Sequence, residues 1–411
     1  KVYDNVEVVA DDLAHGRVTV KNGYFFTDLS EFECTFEVLE DGRVVHSGPL
    51  GRLAVPPRES RPLTLPLAAV TRRRGCEYFV DVRFALPADT GWAEAGHVVA
   101  REQLALPFEP DPGRADVGPM RGAVERPLEF GQGRCTARFS PRTGLLESYV
   151  LDGVELLAAP LRPNFWRAPT DNDKGNGMPA RCAIWRAPAI RFDEPVAASI
   201  ESAGKQPFQV EANFVLEDGR SKGRVVQQVL ADGAILIDYT FSPSGDKLPE
   251  IPRVGLTFEM SSRYREVAWY GRGPHESYSD RKSGAFFGVY ELPVAALNHD
   301  YLEPQEHGNR CDARWLTLAD GRDGGLRVRR VVRPDGVSEP FSFSVWPHTQ
   351  AALEAAAHPH EVAPSDHLTV NVDAAQTGVG GDDSWGARPH PQYTLAPRGD
   401  YRLQFVLEPL R

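Results

Sequence analysis

Along Glu31–Val38, Phe32, Cys34, Phe36 and Val38 alternate with charged or polar residues. A period of two puts the apolar set on one face of a strand, half-buried against a core. Asp41-Gly42 follows, then Arg43-Val44-Val45. An Asp-Gly pair readily takes the positive φ angles of a tight hairpin. Cys76–Phe84 repeats the alternation. Several such strands within residues 1–108 predict an immunoglobulin-like β-sandwich. Phe108–Gly122 breaks the pattern with Pro, Gly and charge, which predicts a linker over 109–122.

Strand patterns resume in 123–411. Cys135–Phe139 precedes a turn at Thr143-Gly144. Asp152-Gly153 separates Tyr149–Leu151 from Val154–Leu156, and Ala231–Gly233 separates Val225–Leu230 from Ala234–Phe241. Leu326–Val332, Phe341–Trp346, Leu368–Asp373 and Tyr401–Leu407 read as later strands. Thr349–Ala357 reads as a short helix with Thr349 as N-cap. No short repeat recurs, which disfavours a propeller or solenoid. A stretch this long and β-rich predicts one large two-sheet sandwich. The fold class is all-β.

Composition narrows the chemistry a little. The 37 Gly and 34 Pro among 411 residues suit turns rather than a helical bundle. The net charge of −11 argues against nucleic acid as partner. No run of about 18 apolar residues occurs, so no transmembrane helix and no membrane partner is expected. The five cysteines are scattered without a CxxC, which disfavours a disulfide framework or structural zinc. The chain enters a strand pattern almost at Lys1. It reads as a piece of a longer polypeptide, whose signal sequence, if any, lies out of view.

Four segments carry candidate chemistry. Asp171-Asn172-Asp173 before Gly175 invites a Ca²⁺ reading, but the spacing does not complete an EF-hand loop, and a polar turn is the simpler expectation. Trp269–Arg281 brings aromatic residues beside Arg272 and Glu276, the materials of a sugar pocket, or else of an ordered, salt-bridged loop. Glu303–Trp315 sets His307 next to Glu306, a pair suited to acid/base work. His348, His358 and His360 are further loop histidines. Gly378–Gly386 ends a Gly/Asp turn with Trp385, a placement that suits a stacking platform better than a core.

In chain order, NFWRAPTDND from Asn164, WYGRGPHESYSDR from Trp269, EPQEHGNRCDARW from Glu303 and GVGGDDSW ending at Trp385 resemble one family closely. It is the C-terminal portion of a bacterial glycoside hydrolase family 2 β-galactosidase, and the resemblance covers the whole chain. It implies an immunoglobulin-like sandwich followed by a galactose-mutarotase-like supersandwich, the small-chain domain. It also implies a missing TIM barrel carrying both catalytic carboxylates. A retaining glycosidase needs these about 5–5.5 Å apart, and a barrel is a unit of about 250 residues. No catalytic residue is therefore expected here, nor turnover by this chain alone. Trp385 is expected to stack on the sugar, with Gly380, Gly381, Asp382 and Asp383 shaping its loop. His307, Arg272 and Glu276 are lesser candidates for sugar contact. His307 stands where the family usually has Asn, which adds a titratable group. The resemblance implies no cofactor in this portion, with Mg²⁺ and Na⁺ belonging mainly to the barrel. It implies a β-galactoside and the barrel as partners, a homo-oligomeric parent and a cytoplasmic location. A free-standing carbohydrate-binding or aldose-epimerase protein is the alternative.

Overall fold

The computed structural model describes residues 1, 3–111, 123–124, 128–132, 134–199, 208–216, 220–230, 232–245, 247–322, 324–333, 338–383 and 386–410. Most of the expected linker, and Trp385, lie outside these residues. The described residues form two compact units. One gathers those of Lys1–Ala115 with Ser283–Val289 and Arg333; the other holds the rest.

The first unit is built on two antiparallel sheets. One orders Val6–Asp12, Arg17–Asn22 and Ser60–Thr64; the other orders Arg43–Gly51, Glu33–Glu40, Tyr78–Ala85 and Val98–Ala105. Cys34, Phe36 and Val38 are buried, as their alternation requires, with Val80, Val82 and Phe84 of the neighbouring strand and Val8, Val18 and Val20 of the other sheet. Asp41 and Gly42 take φ of 46° and 79° in the hairpin between the first two of these strands. The alternation does not foresee Asp81, on the opposite face of Tyr78–Ala85 yet fully buried. Arg101 bonds it through Nε at 3.0 Å and Arg83 lies at 3.4 Å, so the carboxylate stays paired away from water.

Among the described residues of the second unit, the largest sheet pairs Tyr401–Leu410 with Ile235–Ser242 and with Gly325–Arg330 near its middle. A five-stranded sheet orders Leu157–Asn164, Arg253–Ser261, His367–Gln376, Phe341–Trp346 and Arg310–Ala313. Ile237, Tyr239, Phe405 and Leu407 from the first meet Leu256, Phe258, Val370 and Phe343 from the second in one core. A third sheet of four strands, including Cys135–Phe139 and Leu146–Leu151, adds Phe139 and Tyr149 to it. The expected simple pair of sheets is thus a three-sheet supersandwich. Phe341–Trp346 stands as read from the sequence. Tyr401–Leu410 runs past its last buried residue, Leu407, still paired to Gly325–Arg330, whereas the strand expected over Leu326–Val332 ends at Arg330. Gln350–Ala355 is helical, and the Thr349 hydroxyl accepts from the Ala352 N–H at 3.1 Å.

The five-stranded sheet has an unusual second face. Antiparallel sheets commonly leave one face to water. Here Arg253, Thr257, Ser344, Thr369, Asn371 and Asp373 alternate with the core residues and are themselves buried. Asn164, Glu306 and the His348 carbonyl bond to this polar face.

Candidate functional site

The motif segments meet in the second unit. Phe165, Trp166 and Ala168 are buried, and Arg167 between them is fully buried too. Its guanidinium grips Asp173 with two bonds, Nε to Oδ2 at 3.0 Å and Nη2 to Oδ1 at 2.8 Å. It also donates to the carbonyl oxygens of Thr377 and Gly378, the latter at 2.9 Å. Asp173 is set by a capped helix rather than by the polar turn expected. The Thr170 hydroxyl accepts from the Asp173 N–H at 3.1 Å, and Asp173 accepts from the Thr170 N–H at 3.0 Å, opening Asp171–Gly175. This reciprocal box satisfies two donors that a helix start leaves open. Asp171 meanwhile accepts from the Gln305 amide at 3.0 Å. These bonds commit both Asp173 oxygens and one Asp171 oxygen to protein donors.

The glycine-rich loop is held from a second side. Asp280 accepts from the Val379 N–H at 3.1 Å and the Gly380 N–H at 2.7 Å. Asn172 donates to the Val379 carbonyl at 3.1 Å. A Cβ on Gly378 would stand 2.5 Å from the Asp280 carboxylate, so glycine is what lets the backbone approach. Farther along, Asp383 accepts from the Ala387 N–H at 3.0 Å and Asp382 pairs with His390 at 2.8 Å. Two motifs distant in sequence thus fix the base of a third. Trp385 lies outside the described residues, between Asp383 and Gly386.

The lesser candidates occupy different surroundings. Arg272 is bonded to Asp312 at 2.6 Å, and Lys282 shares that carboxylate at 3.0 Å. Glu276 accepts from the Gly308 N–H at 2.8 Å, from the Tyr301 hydroxyl and from Arg281. Burial pushes its pKa up, but these donors hold it below the ordinary carboxylate value. His307 is 4% exposed; its Nε2 lies 3.3 Å from Nε2 of His348, and its carbonyl accepts from the Trp346 indole at 2.9 Å. Burial first, and the neighbouring His348 second, push its pKa down to about 4, so it is neutral at pH 7. His299, Tyr301, Gln305, His307 and His348 line one pocket of about 290 Å³.

Sequence reasoning missed Arg253 and Asp373 at the centre of this face. Arg253, Glu306 and Asp373 are fully enclosed, with Arg253 Nη2 at 2.9 Å from Glu306 and Nε at 3.4 Å from Asp373. Burial raises both carboxyls despite Arg253, Asp373 to about 7. The signal was present in Val370-Asn371-Val372-Asp373, where polar residues alternate within a strand too apolar to face water. Arg167 inside an apolar run is the same kind of sign.

A family model described as beta galactosidase small chain matches residues 131–407, and one described as beta-galactosidase, domain 4, matches residues 18–107. The beta-galactosidase of Priestia megaterium is 34% identical over 100% of this chain and 39% of its own length. That of Streptococcus thermophilus is 32% identical over 100% of this chain and 38% of its own. A galactose mutarotase-like protein of Lactobacillus casei superposes with a TM-score of 0.36 at 13% identity, over 69% of this chain and 99% of that one. The chain spans about two-fifths of the length of the curated relatives it matches.

Proposed function

Given that the chain belongs to the beta galactosidase small chain family, we propose that it is the C-terminal, non-catalytic portion of a retaining β-galactosidase. In this reading a barrel outside the chain hydrolyses terminal β-D-galactosides such as lactose. This portion supports the barrel and lends it one wall of the sugar pocket, through Trp385. The observation that carries the reading is the double anchoring of the loop base by Arg167 and Asp280. A stacking side chain contributes more to binding when its loop is already ordered, since ordering it on binding costs affinity.

The motif carboxylates support the non-catalytic half of the reading. A retaining mechanism needs one carboxyl to protonate the leaving oxygen and another to attack. Glu276 is surrounded by donors, and Glu306 is sealed against Arg253. Neither is open to a glycosidic bond.

In the full-length enzyme, Trp385→Ala is expected to raise KM for nitrophenyl galactoside more than it lowers kcat, as loss of uniform sugar binding does. Steady-state kinetics read this directly. An unchanged KM would reduce Trp385 to a structural residue.

A further inference from the structure

Beside the buried polar face lies a second cavity that the proposed function does not use, a cleft of about 680 Å³. That is within the range of small-molecule sites, about 300–1,000 Å³. Its floor is the five-stranded sheet itself. Thr257 and Asn371 are cross-strand partners, with Thr369 two residues before Asn371. Asn164 reaches Asn371 from the edge strand, Nδ2 to Oδ1 at 3.1 Å, and Asn371 passes a bond to Ser344 at 3.0 Å. The walls are the turn carrying Ala187 and Pro188, and the exposed side of Gln350–Ala355 with Ala351. Arg186 on one wall and Glu354 on the other are ion-paired at 2.7 Å.

We propose that this cleft binds a neutral oligosaccharide. The floor is uncharged, and its amides and hydroxyls keep capacity beyond the bonds they make to one another. Asn371 Nδ2 has a second N–H, and the hydroxyls of Thr257 and Thr369 retain lone pairs after donating to the carbonyls of Val370 and His348. Such a ladder, already oriented by its own bonds, suits hydroxyls in a row. The proline and alanine walls suit the apolar faces of sugar rings. An anionic ligand would find the cleft cations engaged, Arg186 by Glu354 and Arg162 by Glu259 at 3.8 Å. An extended peptide would find Thr257, Thr369 and Asn371 on inner strands whose backbone groups are already paired by their neighbours.

The test is saturation-transfer NMR on the purified chain, titrated with lactose and separately with maltose. Saturable binding in the millimolar range is expected for at least one. Ala351→Trp, an exposed helix position whose new ring would fill the cleft, is expected to weaken it by at least about tenfold. Thr257→Val keeps the shape, removes one hydroxyl of the floor and is expected to weaken it about three- to tenfold; it carries the test if the larger side chain disturbs folding. Absence of saturable binding to either sugar up to about 100 mM would overturn the proposal. So would wild-type affinity in Ala351→Trp with an unchanged melting temperature, since the sugar would then sit elsewhere. Neither outcome bears on Trp385, which is tested by kinetics of the whole enzyme.

Discussion

Arg167→Met is expected to cost about 3–5 kcal/mol of stability, because a buried ion pair broken from one side leaves its partner uncompensated. Asp173 is 3% exposed, and the Thr377 and Gly378 carbonyls would lose the same donor. Arg167→Lys is expected to rescue little, since an ammonium cannot reproduce two parallel bonds to Asp173 while also reaching two carbonyls. Removing the charge on both sides, Arg167→Met with Asp173→Asn, is expected to recover much of the loss, because no buried charge is then stranded. Urea denaturation of the four proteins reads these differences. A cost below about 1 kcal/mol for the first variant would mean that Asp173 finds other donors.

His307→Asn is expected to change how stability depends on pH. The unfolded chain takes a proton on this imidazole near 6.5, the folded one only at about 4. Between these values the unfolded state binds more protons, so stability is full above about pH 6.5 and falls as the pH drops toward 4. The difference of roughly 2.5 units corresponds to about 3 kcal/mol. Asn has no proton to take. Relative to its own value at pH 7.5, the variant should therefore gain about 3 kcal/mol on the wild type by pH 4. His348, also lowered by burial, remains in both proteins. Asp373 acts with the opposite sign: its raised carboxyl makes stability fall as pH rises from about 4 to about 7. Both drop out of the comparison. Unfolding free energies across pH 4–7.5 provide the check, and parallel profiles would mean that His307 takes up its proton in the folded chain as readily as in the unfolded one.

Much of the fold was legible because its strands alternate. Cys34-Thr35-Phe36 and Leu326-Arg327-Val328 report their faces directly, and Asp-Gly pairs mark hairpins where φ is positive. The second face of the five-stranded sheet was not legible. A period of two assigns polar residues to water, and only tertiary cover turns Arg253, Asn371 and Asp373 inward. The short helix at Asp171 was hidden for a related reason. Its Asp and Asn residues favour turns in isolation, and the box with Thr170 and the pull of Arg167 decide otherwise. The four motifs were recognisable one by one, but their bonding to each other was not. Asp280, in a run of charge and hydroxyls, gave no sign that it holds the backbone of Val379 and Gly380 about a hundred residues away.

The central claim is that this chain shapes a sugar pocket without performing the chemistry. The most direct measurement is turnover of nitrophenyl galactoside by the purified chain. No release of nitrophenol above blank is expected. Release clearly above blank, abolished by Glu276→Gln or Glu306→Gln, would contradict the account, because it would place the missing acid or nucleophile within these residues.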